Sequence, residues 1–226
     1  GQVLKWVIAG WWLVGYWSFD TMSGSTIPDD STYDTSGVVS WWTSLATGHI
    51  WNSLYFDGID DDFIVDNIPH IGLNNTPAHT VTGWIRPLDI SCATDSCKQW
   101  ALFLWSRNEG PSSWVGTHHW YIWGSKGNGF GLDDKKYTPV LVEDQWQHIA
   151  ITFNGNTTQC FLNGQQRCTK QSSGSSNIIN MKSSDLVLGR DISTWNAFFN
   201  GYIDELRIYD RVLTASEVRT LYNIEK

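Results

Sequence analysis

The chain has 226 residues, 41% of them hydrophobic and 17% charged, and its 15 Lys and Arg face 23 Asp and Glu for a formal net charge of −8. This much apolar material excludes compositional disorder and suits a single domain, because all-β sandwiches reach such lengths undivided. The acidic balance argues against nucleic acid or an anionic membrane as the main partner, and no stretch reaches the ~18 apolar residues of a spanning helix.

The chain opens at Gly1 rather than Met, as a processed or an artificially trimmed N-terminus would. Its first segment, from Val3 to Val14, is apolar but broken by Lys5 and Gly10. It suits two short strands whose two faces both seek burial. Strand signals then recur at Leu13 to Phe19, His79 to Ile85, Trp100 to Trp105, Trp120 to Trp123, Trp146 to Phe153, Leu186 to Leu188 and Tyr202 to Tyr209. They are short, rich in aromatic and β-branched residues, and separated by Gly, Asn, Asp, Ser or Pro. Almost no helical period lies between them, which predicts an all-β fold of two antiparallel sheets. Asn154-Gly155 and Asn163-Gly164 supply the positive-φ pairs of tight hairpins. A capping box, Thr214 with Glu217, flanked by Leu213 and Val218, predicts one short C-terminal helix to about Tyr222, covering an edge or end of the sandwich.

The cysteines fall into two local pairs, Cys92 with Cys97 and Cys160 with Cys168. Pairs of this kind suggest two small disulfide loops and an oxidising compartment, with four reduced thiols as the alternative. Cys160 and Cys168 flank the Asn163-Gly164 turn, so they face each other across its arms. Asn74 and Asn156 open glycosylation sequons.

Several motifs occur in a recognisable order: Leu13-Val-Gly-Tyr-Trp-Ser-Phe-Asp20, Tyr55-Phe-Asp-Gly-Ile-Asp-Asp61, Thr80-Val-Thr-Gly-Trp-Ile-Arg-Pro87 and Trp146-Gln-His-Ile-Ala-Ile-Thr-Phe-Asn-Gly155. Cys160-Phe-Leu-Asn-Gly164, Leu188-Gly-Arg190, Phe199 to Arg211 and Leu213 to Glu217 complete them. In this order the chain resembles the LamG-like jelly-roll family of the concanavalin A-like lectin/glucanase superfamily from about residue 12 onward. The resemblance implies a jelly-roll sandwich over residues 12–226, one sheet concave and one convex, with the last strand beside the first. It implies a non-catalytic adhesive or glycan-binding role, and a structural calcium ion that points to Asp20 and Asp204. Residues 1–11 stand outside it as an apolar extension.

Chemistry-bearing constellations are few. The glucanases of the superfamily carry carboxylates alternating along one strand, and no such run is present here. Asp204 and Glu205 are adjacent, and a regular strand would point them to opposite faces, so the chain reads as a non-enzyme. His118 and His119 diverge in the same way. Hard oxygen ligands for calcium gather at Asp57, Asp60, Asp61 and Asp62, and again at Asp29, Asp30 and Asp34; the alternative is a solvated turn. Asp204 has its own alternative, an edge-strand carboxylate paired with Arg207 or Arg211. Fifteen Trp exceed what one sandwich holds inside. Trp105, Trp114, Trp120, Tyr121 and Trp123 bracket a Gly/Ser-rich stretch and form the candidate sugar platform.

Two functions follow for a secreted or cell-surface protein. The first is self-assembly into filament-like oligomers, in which Leu4, Trp6, Ile8 and Trp11 donate a strand to a neighbouring copy; the alternative is that this segment folds back as an extra edge strand of its own sandwich. The second is calcium-dependent carbohydrate binding on a Trp-rich concave face.

Overall fold

The computed structural model describes residues 12–40, 42–68, 78–89, 102–106, 114–118, 121–125, 135–137, 141–154, 157–171, 184–190 and 198–226, with the backbone alone at 67–68, 102–106, 114–118, 121–125, 135–137, 170–171 and 184–185. The strands in chain order are β1 Leu13–Trp17, β2 Thr26–Ile27, β3 Gly37–Val39, β4 Ser44–Thr47, β5 Asn52–Asp57, β6 Phe63–Ile68, β7 His79–Pro87 and β8 Leu102–Ser106. They continue as β9 Trp114–His118, β10 Tyr121–Ser125, β11 Lys135–Tyr137, β12 Gln147–Phe153, β13 Thr157–Leu162, β14 Gln165–Gln171, β15 Ser184–Leu188 and β16 Asn200–Tyr209, and helix α1 spans Ala215–Glu225.

Two antiparallel sheets make the sandwich. The larger has the order β14-β13-β12-β7-β16-β5-β4 with β1 also on β16, and the smaller has the order β2-β3-β6-β15-β8. A separate three-stranded sheet is ordered β11-β10-β9. Alternation along the strands builds the core between the two main sheets. Leu54, Phe56, Ile85, Ile149, Ile151 and Ile203 of the large sheet meet Ile27, Val39, Phe63, Val65, Leu186 and Leu188 of the small one in one buried cluster.

The long strand β16 organises the large sheet. Asn200 to Ile203 pair with β5, Leu206 to Tyr209 pair with β1, and β7 lies along the opposite edge. The expected return of the last strand beside the first is therefore present. Between the two halves the register with β7 slips at Asp204/Arg207, and Glu205 takes φ 52. This is a β-bulge: one extra residue re-aims its neighbours.

Leu13, Tyr16, Ala150, Phe161 and Tyr209 point to the outer face of the large sheet and form a second core with Leu213, Val218 and Leu221 of α1. The helix thus covers a sheet face rather than an edge or end, because β1, β12, β13 and β16 all present apolar groups there. Its capping box forms as expected: Thr214 Oγ1 accepts from Glu217 N, and the Glu217 carboxylate accepts from Thr214 N. The helix runs three residues past Tyr222, since Glu225 at its end is held by the charges described below. No helix among the described residues is long and apolar enough to cross a membrane.

The Asn163-Gly164 turn has the expected positive φ at both residues, 50 and 70. Cys160 and Cys168 are cross-strand partners with Cα atoms 5.0 Å apart and are disulfide-bonded. A register shift after Cys160 leaves Arg167 out of the ladder, and this bulge brings Cys168 opposite Cys160. Cys92, Cys97, Asn74 and Asn156 lie outside the described residues.

Candidate functional site

Period-two alternation that sends Leu54, Phe56 and Ile203 into the core sends Tyr55 and Tyr202 to the outer face. The two tyrosines are cross-strand partners with ring centroids 5.0 Å apart, and both are half-buried. Trp146, just before β12, lies 6.1 Å from Tyr202 and 5.9 Å from His49. His49 stacks on Trp84 at 3.6 Å, and Trp84 reaches Tyr222 of α1 at 5.7 Å. A continuous aromatic strip therefore begins half-exposed at Tyr55 and ends buried beneath the helix.

Two connections hold this strip in place. Residues 141–146 are pinned by the buried Gln147, whose amide donates to the Val142 and Gln145 carbonyls and accepts from Val142 N. Asp144 N donates to Pro87 O at 2.7 Å. The turn from Gly48 to Trp51 closes through Gly48 N to Trp51 O, and its His49 and Ile50 amides both donate to Asp204 Oδ2 at 2.9 Å. Gly48 is needed for this approach: a Cβ there would lie 2.4 Å from Asn52 O and 2.7 Å from Asp204 Oδ2. Trp51, at φ 60, stands 81% exposed on the turn.

At the rim, Arg86 is the cross-strand partner of Tyr202 and lies over its ring at 5.2 Å. Its Nε and Nη2 donate to Asp144 Oδ1 at 2.8 and 2.5 Å. Half-exposed rings beside fixed polar groups form a surface that can stack on apolar sugar faces while bonding to hydroxyls.

Beneath the strip lies a buried charge network. Arg207 pairs with Glu205 and, at 2.6 Å, with Glu225 of α1, while its guanidinium sits 4.2 Å above the Tyr16 ring. Tyr16 donates to Glu205 Oε2 at 2.7 Å, and Trp84 Nε1 donates to Glu225 Oε2 at 2.8 Å. His148 is fully buried at the edge of the cluster, and burial followed by the Arg207 charge pushes its pKa from 6.5 to about 3. Burial also lowers that of His49, while burial and the nearby Glu205 push the Asp204 carboxyl up to about 8.

The expectation for Asp204 and Glu205 is corrected here. The bulge turns both toward the outer side, where Asp204 anchors the 48–51 turn and Glu205 meets Arg207 and Tyr16. Nor is Asp204 on an edge, since β16 runs between β7 and β5, and Arg211 pairs with Glu217 instead. Asp20 lies beside the same connection, accepting from Asn52 N through Oδ1 and from Asn52 Nδ2 through its carbonyl. Asp57, Asp60 and Asp61 bring carboxylate oxygens within 4.8 Å of one another, while Asp62 pairs with Arg190 at 2.5 Å. Asp29, in the other acidic stretch, is buried and accepts from Tyr16 N, Ser31 N, Ser31 Oγ and Thr35 N, organising the 29–35 loop.

Trp105 pairs with Asp185, Trp114 with Ser125 and Trp123 with Gly116 through their backbones, but their side chains lie outside the described residues, as does Trp120. Leu4, Trp6, Ile8 and Trp11 also lie outside them. In the sequence Tyr55, Trp146 and Tyr202 stand as strand and motif residues with nothing that marks them as a site. Alternation against Leu54, Phe56 and Ile203 was the signal that finds the two tyrosines.

A solved structure of domain 4 of AbnA, a GH43 extracellular arabinanase from Geobacillus stearothermophilus, in complex with arabinotriose, is similar over 93% of this chain and 98% of that one, at 19% identity and TM-score 0.72. The binding domain of Paraclostridial Mosquitocidal Protein 1 is similar over 94% of this chain at 18% identity and TM-score 0.73. The binding domain of Botulinum Neurotoxin DC in complex with SialylT is similar over 97% at 15% identity and TM-score 0.70. The chain spans about half, 52%, of each of these two toxin chains. No curated protein matches it. The model of the concanavalin A-like lectin/glucanases superfamily matches residues 58–219, most of the chain, and the chain belongs to that superfamily.

Proposed function

We propose that the chain is a non-catalytic, extracellular or cell-surface carbohydrate-binding module whose platform is the strip Tyr55, Tyr202 and Trp146. The observation that carries this reading is the half-exposed aromatic row flanked by the fixed Arg86–Asp144 pair. The saccharides in two similar structures, arabinotriose and SialylT, support it at the level of the fold. The Cys160–Cys168 disulfide supports an oxidising compartment. The buried carboxylates beneath the strip are committed to structure, as Asp204 holds a turn and Glu205 and Glu225 hold Arg207. Strand donation by residues 1–11 has no comparable support, because its residues lie outside the described structure.

A glycan array with the intact chain tests the reading. Bound glycans are expected to lose at least about tenfold in affinity in Tyr202→Ala or Trp146→Ala, the loss typical of a buried aromatic contact. Retained binding in both folded variants would reject the platform. Calcium is part of the proposal as a structural ion at Asp57, Asp60 and Asp61, whose clustered oxygens suit a hard cation. Calcium is then expected to raise the Tm and chelator to lower it; an unchanged Tm would remove calcium from the account.

A further inference from the structure

Resting on that reading, we infer that the platform selects uncharged saccharides and discriminates against glycans carrying a carboxylate or sulfate. The cations beside Tyr55, Tyr202 and Trp146 are already engaged. Arg86 is the guanidinium at the rim, and both Nε and Nη2 are directed onto Asp144 Oδ1. Asp144 is itself fixed by the bond from its backbone N to Pro87 O. The pair is therefore preassembled and formally neutral, with side chains 32% and 61% exposed.

His49 is the next basic group along the strip. Its Nε2 faces the Glu225 carbonyl oxygen at 2.8 Å, and a carbonyl only accepts, so this nitrogen carries the hydrogen. Its ring is stacked on Trp84, where burial disfavours a second proton. Arg207 lies deeper, between Glu205 and Glu225. Lys226 Nζ stands over the Tyr222 ring at 5.6 Å, at the helix end of the strip. Each cation that the described residues place beside Tyr55, Tyr202 and Trp146 is thus neutral or already matched by a carboxylate. An incoming anion would lose hydration there without gaining a counter-charge, and would meet the field of a chain with net charge −8.

The same pair suits hydroxyls. Arg86 keeps Nη1 as a donor and Asp144 keeps Oδ2 as an acceptor, side by side next to the Tyr202 ring. A vicinal diol supplies both complements, and the apolar face of a neutral pyranose or furanose supplies the stacking partner.

The test is an array of matched glycans, such as lactose beside sialyllactose and neutral oligosaccharides beside their sulfated or uronate-bearing forms. It is read with wild type, Tyr202→Ala and Asp144→Asn, each checked for an unchanged melting transition. Neutral members are expected to bind and to be lost in Tyr202→Ala, with their acidic partners weaker by about tenfold or more. Asp144→Asn uncovers the Arg86 charge and is expected to narrow that gap by about fivefold. If Asp144→Asn does not fold, wild type at low and high salt replaces it, because screening is expected to shrink the gap. Acidic members that bind as well as or better than neutral ones, with loss in Tyr202→Ala, would overturn the selectivity and leave the carbohydrate reading standing. No binding to any glycan, or binding insensitive to Tyr202→Ala, would overturn the carbohydrate reading and the selectivity with it.

Discussion

His148 and Asp204 show how single side chains make the outer face of the sheet sensitive to pH in opposite senses. His148 has its pKa pushed down to about 3, so the unfolded chain takes up a proton near pH 6.5 that the folded chain refuses. Its contribution to stability is complete above that value and is lost as pH falls toward 3. Asp204, pushed up to about 8, behaves in reverse: its contribution is complete in acid and is lost as pH rises toward 8. Comparing wild type with His148→Phe cancels the Asp204 part, since both proteins contain it. The stability of wild type relative to the variant is expected to fall by about 2 kcal/mol between pH 7 and pH 5, from 1.4 kcal/mol per pH unit. Urea unfolding at the two pH values measures this, and an unchanged difference would mean that His148 takes up a proton in the folded state. Neither shift was legible in the sequence, where His148 reads as an ordinary strand residue. Both arise from α1 and the 48–51 turn closing over the strand pair, contacts that local patterning does not encode.

Among the elements, α1 and β16 carry the assembly. The capping box made the helix legible, and the apolar alternation made β16 legible. Their joint was not, because it depends on the bulge at Glu205, where φ 52 departs from the regular strand that alternation assumes. That departure places Glu205, Arg207 and Glu225 in one buried network tying strand to helix. Arg207→Met is expected to cost about 3–5 kcal/mol, because it strands two buried carboxylates. Replacing Glu225 with Gln in that background is expected to recover part of the loss. Urea unfolding of the single and double variants reads both values, and a loss below about 1 kcal/mol for Arg207→Met would show that the network contributes little. Short strands such as β2, β3 and β4 were missed for a related reason: two to four residues hold too few alternations to register.

At the scale of the molecule, the ordered motifs were enough for the sandwich, the return of the last strand and the superfamily. They were not enough for the site. The abundance of Trp drew attention to residues 105–123, while the formed surface among the described residues arises where β5, β16 and the segment before β12 meet. Tyr55, Tyr202 and Trp146 are 147 positions apart at their extremes in the chain and come together only through sheet order. If this surface takes the saccharide, a neutral oligosaccharide found on the array slows hydrogen exchange of the intact chain at residues 48–57, 144–147 and 200–205 alone. Slowing confined to residues 102–125 would instead put the saccharide on the tryptophans there.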